Sequence, residues 1–111
     1  MKKFVLRFRA QDRAIFNALK SGQKRVETRA ATERFRRVKV GDKLIFICGQ
    51  DRFEKEVRAV SHFPSIEAML HEVGFRQIAP WLNSAEELVS LYQSFPGYPE
   101  KIAKFGILAF S

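Results

Sequence analysis

The sequence predicts an α+β fold with mainly antiparallel strands, and three features lead there. Short segments such as Phe4-Val5-Leu6-Arg7-Phe8-Arg9 end in the alternation of apolar and polar residues that marks a strand. Other stretches place apolar residues three or four positions apart, as in Asp12–Leu19 and Ser65–Val73, which is the spacing of an amphipathic helix. Glycine-centred turns, Gly41-Asp42 and Gly49-Gln50-Asp51, separate strand-like runs. At 111 residues, 46% hydrophobic and 29% charged, the chain is the size of one domain with a modest core.

Taken in order, Phe4–Arg9 is the first strand. Asp12 is a candidate N-cap for a helix that carries Ile15, Phe16 and Leu19 on its apolar stripe. Gly22 ends that helix as a left-handed cap. An extended strand is expected over Lys24–Arg29, with Arg25, Glu27 and Arg29 on one face and Val26 and Thr28 on the other. Residues 30–39 are polar and basic without a clear period and read as a mobile loop. Lys43–Cys48 and a strand from about Arg52 to Ser61 form a hairpin around Gly49-Gln50-Asp51. Ser65 caps a helix closed by Gly74, and a short helical turn is placed around Phe75 and Ile78. Ser84-Ala85-Glu86-Glu87 has the pattern of a capping box ahead of Leu88, Val89, Leu91 and Tyr92. Phe95-Pro96-Gly97-Tyr98-Pro99 reads as a turn-rich link to a closing strand, Phe105–Phe110.

The formal net charge is +8, and it is segregated. Residues 1–40 hold 13 Lys and Arg against 3 acids, a net +10; residues 41–111 hold 7 against 9, a net −2. A field concentrated in one part of the chain favours polyanionic partners and makes binding salt-dependent. No apolar run approaches the roughly 20 residues of a membrane helix, so no membrane partner is expected. Arg7 and Arg9 interrupt the region after Met1-Lys2-Lys3, so no signal-peptide core is expected there. The lone Cys48 has no internal partner and reads as a small buried hydrophobe in a reduced, cytoplasmic setting. His62, His71 and Cys48 lack ligand spacing, and the glycines sit at turns and caps, so neither a metal nor another cofactor is expected.

The most distinctive segment is Gly22-x-Lys24-x-x-Glu27-x-Arg29, followed by Val38-x-Val40-Gly41-Asp42-x-Leu44-x-Phe46. Cations flanking a carboxylate on one strand face suit a polar cleft: Glu27 can hold arginines whose remaining donors point at a ligand. These motifs and the order of the elements after them resemble the ASCH domain family of PUA-like β-barrels associated with RNA, over essentially the whole chain. The resemblance implies a small mixed β-barrel with about three flanking helices, and a basic cleft that binds RNA, a nucleoside or a nucleotide.

One branch of that family, small hydrolases that remove the acyl group from acetylated cytidine, uses a lysine with a threonine and a glutamate. Lys24 matches the lysine. The threonine position holds Glu27, Thr28 stands one place later, and Glu67 and Glu72 are acids near the region of the branch's glutamate. Other members keep Lys, Glu and Arg in this pattern and resemble RNA-binding modules or weak nucleases. If the chain is an enzyme, Lys24 and Glu27 are the catalytic candidates, with a modified nucleoside or RNA as substrate. If it is a binding module, Lys24, Arg25, Glu27, Arg29, Arg34, Arg36, Arg37 and Lys39 are the candidates for RNA contacts. Phe35, among the last four of those cations, either stacks on a base or folds back onto the domain. Trp81 and Tyr98 either stack or plug helix seams. A monomer is the expected state.

Overall fold

Local chemistry sets the element ends. Gly22 adopts φ 87°, a left-handed conformation that glycine takes without a Cβ clash, and its N–H bonds Leu19 O to end the first helix. Ser65 Oγ and Ser84 Oγ accept from Ala68 N and Glu87 N, satisfying amides that have no partner within their helices. The computed structural model describes residues 1–111. In chain order its elements are β1 (Lys3–Phe8), α1 (Arg13–Ser21), β2 (Glu27–Ala30), α2 (Glu33–Arg36), β3 (Lys43–Cys48), β4 (Asp51–Glu56), β5 (Val60–Phe63), α3 (Ile66–Glu72), α4 (Phe75–Ile78), α5 (Ala85–Ser94), α6 (Tyr98–Phe105) and β6 (Ile107–Phe110).

The strands form two three-stranded sheets, ordered β1-β3-β4 and β2-β6-β5. Only β1 and β3 run parallel; the long excursion through α1, β2 and α2 gives the chain room to return in the same direction. The β3–β4 hairpin pairs Cys48 with Asp51 across the two residues Gly49-Gln50. Backbone bonds at one corner pass the chain between sheets: Val57 N donates to Asp42 O, Arg58 N to Ser111 O, and Ser111 N to Ala59 O.

β6 is buried on both faces, as its unbroken apolar sequence requires. Leu108 and Phe110 join a core with Leu6, Phe16, Leu19, Leu44 and Phe46 beneath α1. Ile107 and Ala109 face a second core with Met69, Ile78, Leu88, Tyr92 and Ile102. One strand therefore ties both hydrophobic clusters together. No helix is long and apolar enough to cross a membrane.

Several elements differ from the sequence reading. The strand expected over Lys24–Arg29 starts only at Glu27, because Lys24, Arg25 and Val26 bond outward: Lys24 N to Ala18 O, and the next two amides to Gln77 O. Residues 33–36 are the short helix α2 rather than a mobile loop, and Phe35 folds back against the first core. The strand expected to reach Ser61 breaks at residues 57–59, where the backbone changes sheets. The link before the last strand contains α6, begun by Gly97 and carrying a proline in its first turn, so the molecule has six helices rather than three. Asp12 precedes α1 but does not cap it with its side chain, which instead accepts from Arg9 Nε at 2.9 Å.

Candidate functional site

The segment between the Gly22 cap and β2 carries three charged side chains into one cluster. Lys24 is 3% exposed; its Nζ donates to Val26 O and Ile78 O, each at 2.6 Å, and lies 3.4 Å from Glu27 Oε1. Two ammonium protons are thus given to backbone carbonyls, and the charge is paired with Glu27. Glu27 is also buried. Its Oε1 accepts from Thr28 N at 2.9 Å and its Oε2 from Arg29 Nη2 at 3.2 Å. Arg29 lies between two rings, its guanidinium carbon 5.4 Å from the Phe8 centroid and 5.9 Å from that of Phe35. Its side chain is 24% exposed, yet Nε is buried without a partner.

Burial lowers the proton affinity of Lys24, an effect strengthened by Arg29 and opposed by the charge of Glu27. Burial alone would raise the Glu27 pKa, but Lys24, Arg29 and the Thr28 amide together hold it below the ordinary carboxylate range. The cluster is therefore a carboxylate held between two cations, with Lys24 structural and Arg29 keeping spare donors.

These side chains line a mostly apolar cavity of about 350 Å³ between the end of β1, β2 and α5. Tyr92 and Tyr98 stack in its wall at a centroid separation of 6.1 Å and 12° between ring planes, and Phe95 meets the Tyr98 ring edge-on at 5.6 Å. The Tyr92 and Thr28 hydroxyls bond each other, and Tyr98 Oη accepts from Ala30 N at 3.3 Å. Burial raises the pKa of both tyrosines, so they remain neutral hydrogen-bonding groups. Trp81, 46% exposed, also lines the chamber rather than plugging a helix seam. Four cations (Arg7, Arg9, Lys24 and Arg29) face two carboxylates (Asp12 and Glu27) around the wall, so the field is positive.

Of the eight ligand candidates, the fold gathers Lys24, Glu27 and Arg29 in the chamber. Arg25 is exposed and lines a small recess beside Lys55 and Glu56, on the far side of Glu27 from the chamber's lining, because the strand alternation assumed for it begins only at Glu27. Arg34 lines an adjoining groove with Arg7 and Arg29. Arg36 lies over the Phe105 ring at 5.8 Å, Arg37 pairs with Glu33 at 2.7 Å, and Lys39 is exposed; none of these three lines the chamber. Glu67 and Glu72 on α3 do not line it either.

Sequence reasoning missed Thr28, Tyr92, Phe95, Arg7 and Arg9 as wall residues. The alternation that puts Thr28 opposite Glu27 obscured its place there, since the chamber reaches both sides of a four-residue strand. Arg7 and Arg9 share one face of the first strand's alternation, which was a usable signal. No group of three His, Cys, Asp or Glu side chains is placed to hold a metal ion.

No protein-family model and no curated protein matches the chain. Among solved structures, the chain is similar to the crystal structure of hypothetical protein PH0355, with 29% identity and a TM-score of 0.81. That match covers 100% of this chain and 96% of the other. It is also similar to the solution structure of protein PF0455 from Pyrococcus furiosus, with 27% identity, a TM-score of 0.72, and coverage of 96% and 94%.

Proposed function

We propose that this chain is an RNA-binding domain of the ASCH type whose aromatic chamber takes a single nucleobase of an RNA or nucleotide. On this reading the two sheets, joined through residues 57–59 and Ser111, are the halves of a small PUA-like barrel. The domain acts as a cytoplasmic monomer with RNA as its partner.

The supporting observation is Arg29. Its side chain is 24% exposed, lines the chamber and reaches Glu27 through Nη2 alone, so its terminal N–H groups retain capacity for a ligand acceptor. The surrounding rings supply faces for a base, and the hydroxyls of Thr28, Tyr92 and Tyr98 supply donors and acceptors for its edge. Glu27 serves by fixing Arg29, since its oxygens are already engaged by Thr28 N, Lys24 and Arg29.

A binding assay at low salt with short single-stranded RNA tests this reading. The unaltered protein binds, and Arg29→Ala binds at least about tenfold more weakly, the worth of one charged hydrogen bond. An unaltered protein with no RNA affinity at low salt contradicts it.

A second reading is favoured by one arrangement. The Thr28 hydroxyl lines the same cavity as Lys24, so hydroxyl and amine share a chamber as amide hydrolysis of an acetylated cytidine would require. Against it, the Lys24 ammonium is buried, bonded to two backbone carbonyls and paired with Glu27. Incubation with acetylated cytidine and with labelled RNA separates the two. Product that disappears in a folded Lys24→Ala variant supports hydrolysis, and absence of product from both substrates leaves binding alone.

A further inference from the structure

Beside the chamber runs a groove of about 330 Å³ lined by Val5, Leu6, Arg7, Arg29, Arg34 and Phe35. Arg7 and Arg29 line both cavities, so the two share a wall. Three guanidiniums line the groove and no carboxylate does. Some exposed cations elsewhere are paired, Lys3 with Glu54, Arg9 with Asp12, Arg13 with Asp51 and Arg37 with Glu33, while others such as Arg25 and Arg58 stand singly; what sets the groove apart is that three guanidiniums converge on one recess. Neither Arg7 nor Arg34 has an ion-pair partner, and Arg29 has only the buried Glu27, which it shares with Lys24.

Two of the three guanidiniums are also held in place. Arg34 donates to Val5 O and lies over the Phe35 ring at 5.0 Å. Arg29 also meets that ring, its guanidinium carbon 5.9 Å from the Phe35 centroid and 5.4 Å from that of Phe8. Planar forks anchored this way lose little freedom on meeting an anion, and clustered guanidiniums repel one another until one arrives.

We infer that this groove is a phosphate subsite, so that the chamber's ligand is a phosphorylated nucleotide rather than a free nucleoside. The inference rests on the reading of the chamber as a base pocket. The base occupies the aromatic chamber, and its phosphate crosses the shared wall to lie among Arg7, Arg29 and Arg34. A terminal monophosphate and a phosphodiester within a strand present the same oxygens to these forks.

Calorimetric titrations of the full chain with a nucleoside, its 5′-monophosphate, its 3′-monophosphate and a dinucleotide test the assignment. A phosphate in the groove tightens binding roughly tenfold to a hundredfold over the nucleoside, the worth of one or two charge-assisted hydrogen bonds. The ligand that gains identifies the source: a monophosphate for a strand end, the dinucleotide alone for a strand interior. Arg34→Gln, at an exposed position outside the chamber, removes most of that gain and leaves nucleoside affinity unchanged, whereas Arg34→Lys keeps part of it.

Nucleoside binding that no phosphate improves overturns the subsite while leaving the base pocket standing. So does a gain that survives in Arg34→Gln. Failure of every ligand to bind overturns the base pocket and the subsite together.

Discussion

Arg29 Nη2 donates to Glu27 Oε2 at 3.2 Å while Nε of the same guanidinium is buried with no acceptor. Glu27 thus holds the arginine without saturating it. Its own charge is supported from behind by Lys24, whose buried ammonium is held by two backbone carbonyls and paired with Glu27. Binding and structural roles divide along this chain of contacts, and the division has measurable consequences.

Lys24 is expected to behave as a structural cation. Lys24→Met leaves a buried carboxylate short of one partner and two carbonyl oxygens without donors, which costs about 3–5 kcal/mol of folding stability. Urea unfolding followed by circular dichroism measures it; a loss below about 1 kcal/mol argues against the assignment.

Stability should depend on Glu27 in acid. The folded protein depresses its pKa below the ordinary value of about 4.3, so its contribution is complete above that value. The contribution is then lost as pH falls through the depressed folded value. Urea midpoints measured from neutral pH downward should therefore fall below about pH 4 in the unaltered protein and fall less steeply in Glu27→Gln. Parallel acid limbs in the two proteins would exclude the effect.

Arg25 and Arg29, equivalent in the strand pattern, should separate in function. Arg25→Ala keeps RNA affinity within about twofold at moderate salt, because an exposed cation outside the cavity contributes only general attraction. Arg29→Ala loses about tenfold or more. Equal losses in anisotropy titrations would mean that net charge, rather than the chamber, governs binding.

Gly106 should tolerate no side chain. It sits at φ 84° between α6 and β6, and a Cβ there would collide with Phe63 O and lie 2.8 Å from His62 Nε2. That histidine nitrogen is 2.8 Å from Phe105 O, a bond that its displacement would break, and the Phe63 oxygen belongs to the backbone and cannot swing away. Backbone strain alone costs about 1–3 kcal/mol in Gly106→Ala, and the collision adds to it. A thermal midpoint unchanged from the parent would refute this account of the α6–β6 corner.

What was readable in the sequence was chemistry confined to neighbouring residues. The Gly22 cap, the serine caps at Ser65 and Ser84, the Gly49-Gln50 hairpin and the doubly buried β6 all follow from a few adjacent side chains. Helix α6 was hidden because Pro96-Gly97-Tyr98-Pro99 reads as a turn, although a proline in the first helical turn leaves no needed donor unpaired. The break at residues 57–59 was hidden because only tertiary pairing decides where a strand changes sheets. The cluster Lys24, Glu27 and Arg29 lies within six residues and was legible, whereas Arg7 and Arg9 join the same wall from the first strand only through tertiary packing. The site's aromatic half depends on Tyr92 meeting Thr28 across 64 positions, a contact no local period encodes.

The Arg29 Nε–H group is the most direct reporter on the proposed chamber. Proton–nitrogen NMR should show its resonance moving on titration with a nucleotide, as the ligand meets the guanidinium in the chamber. A resonance unmoved while nucleotide binds elsewhere on the protein would contradict the assignment of this cavity as the ligand site.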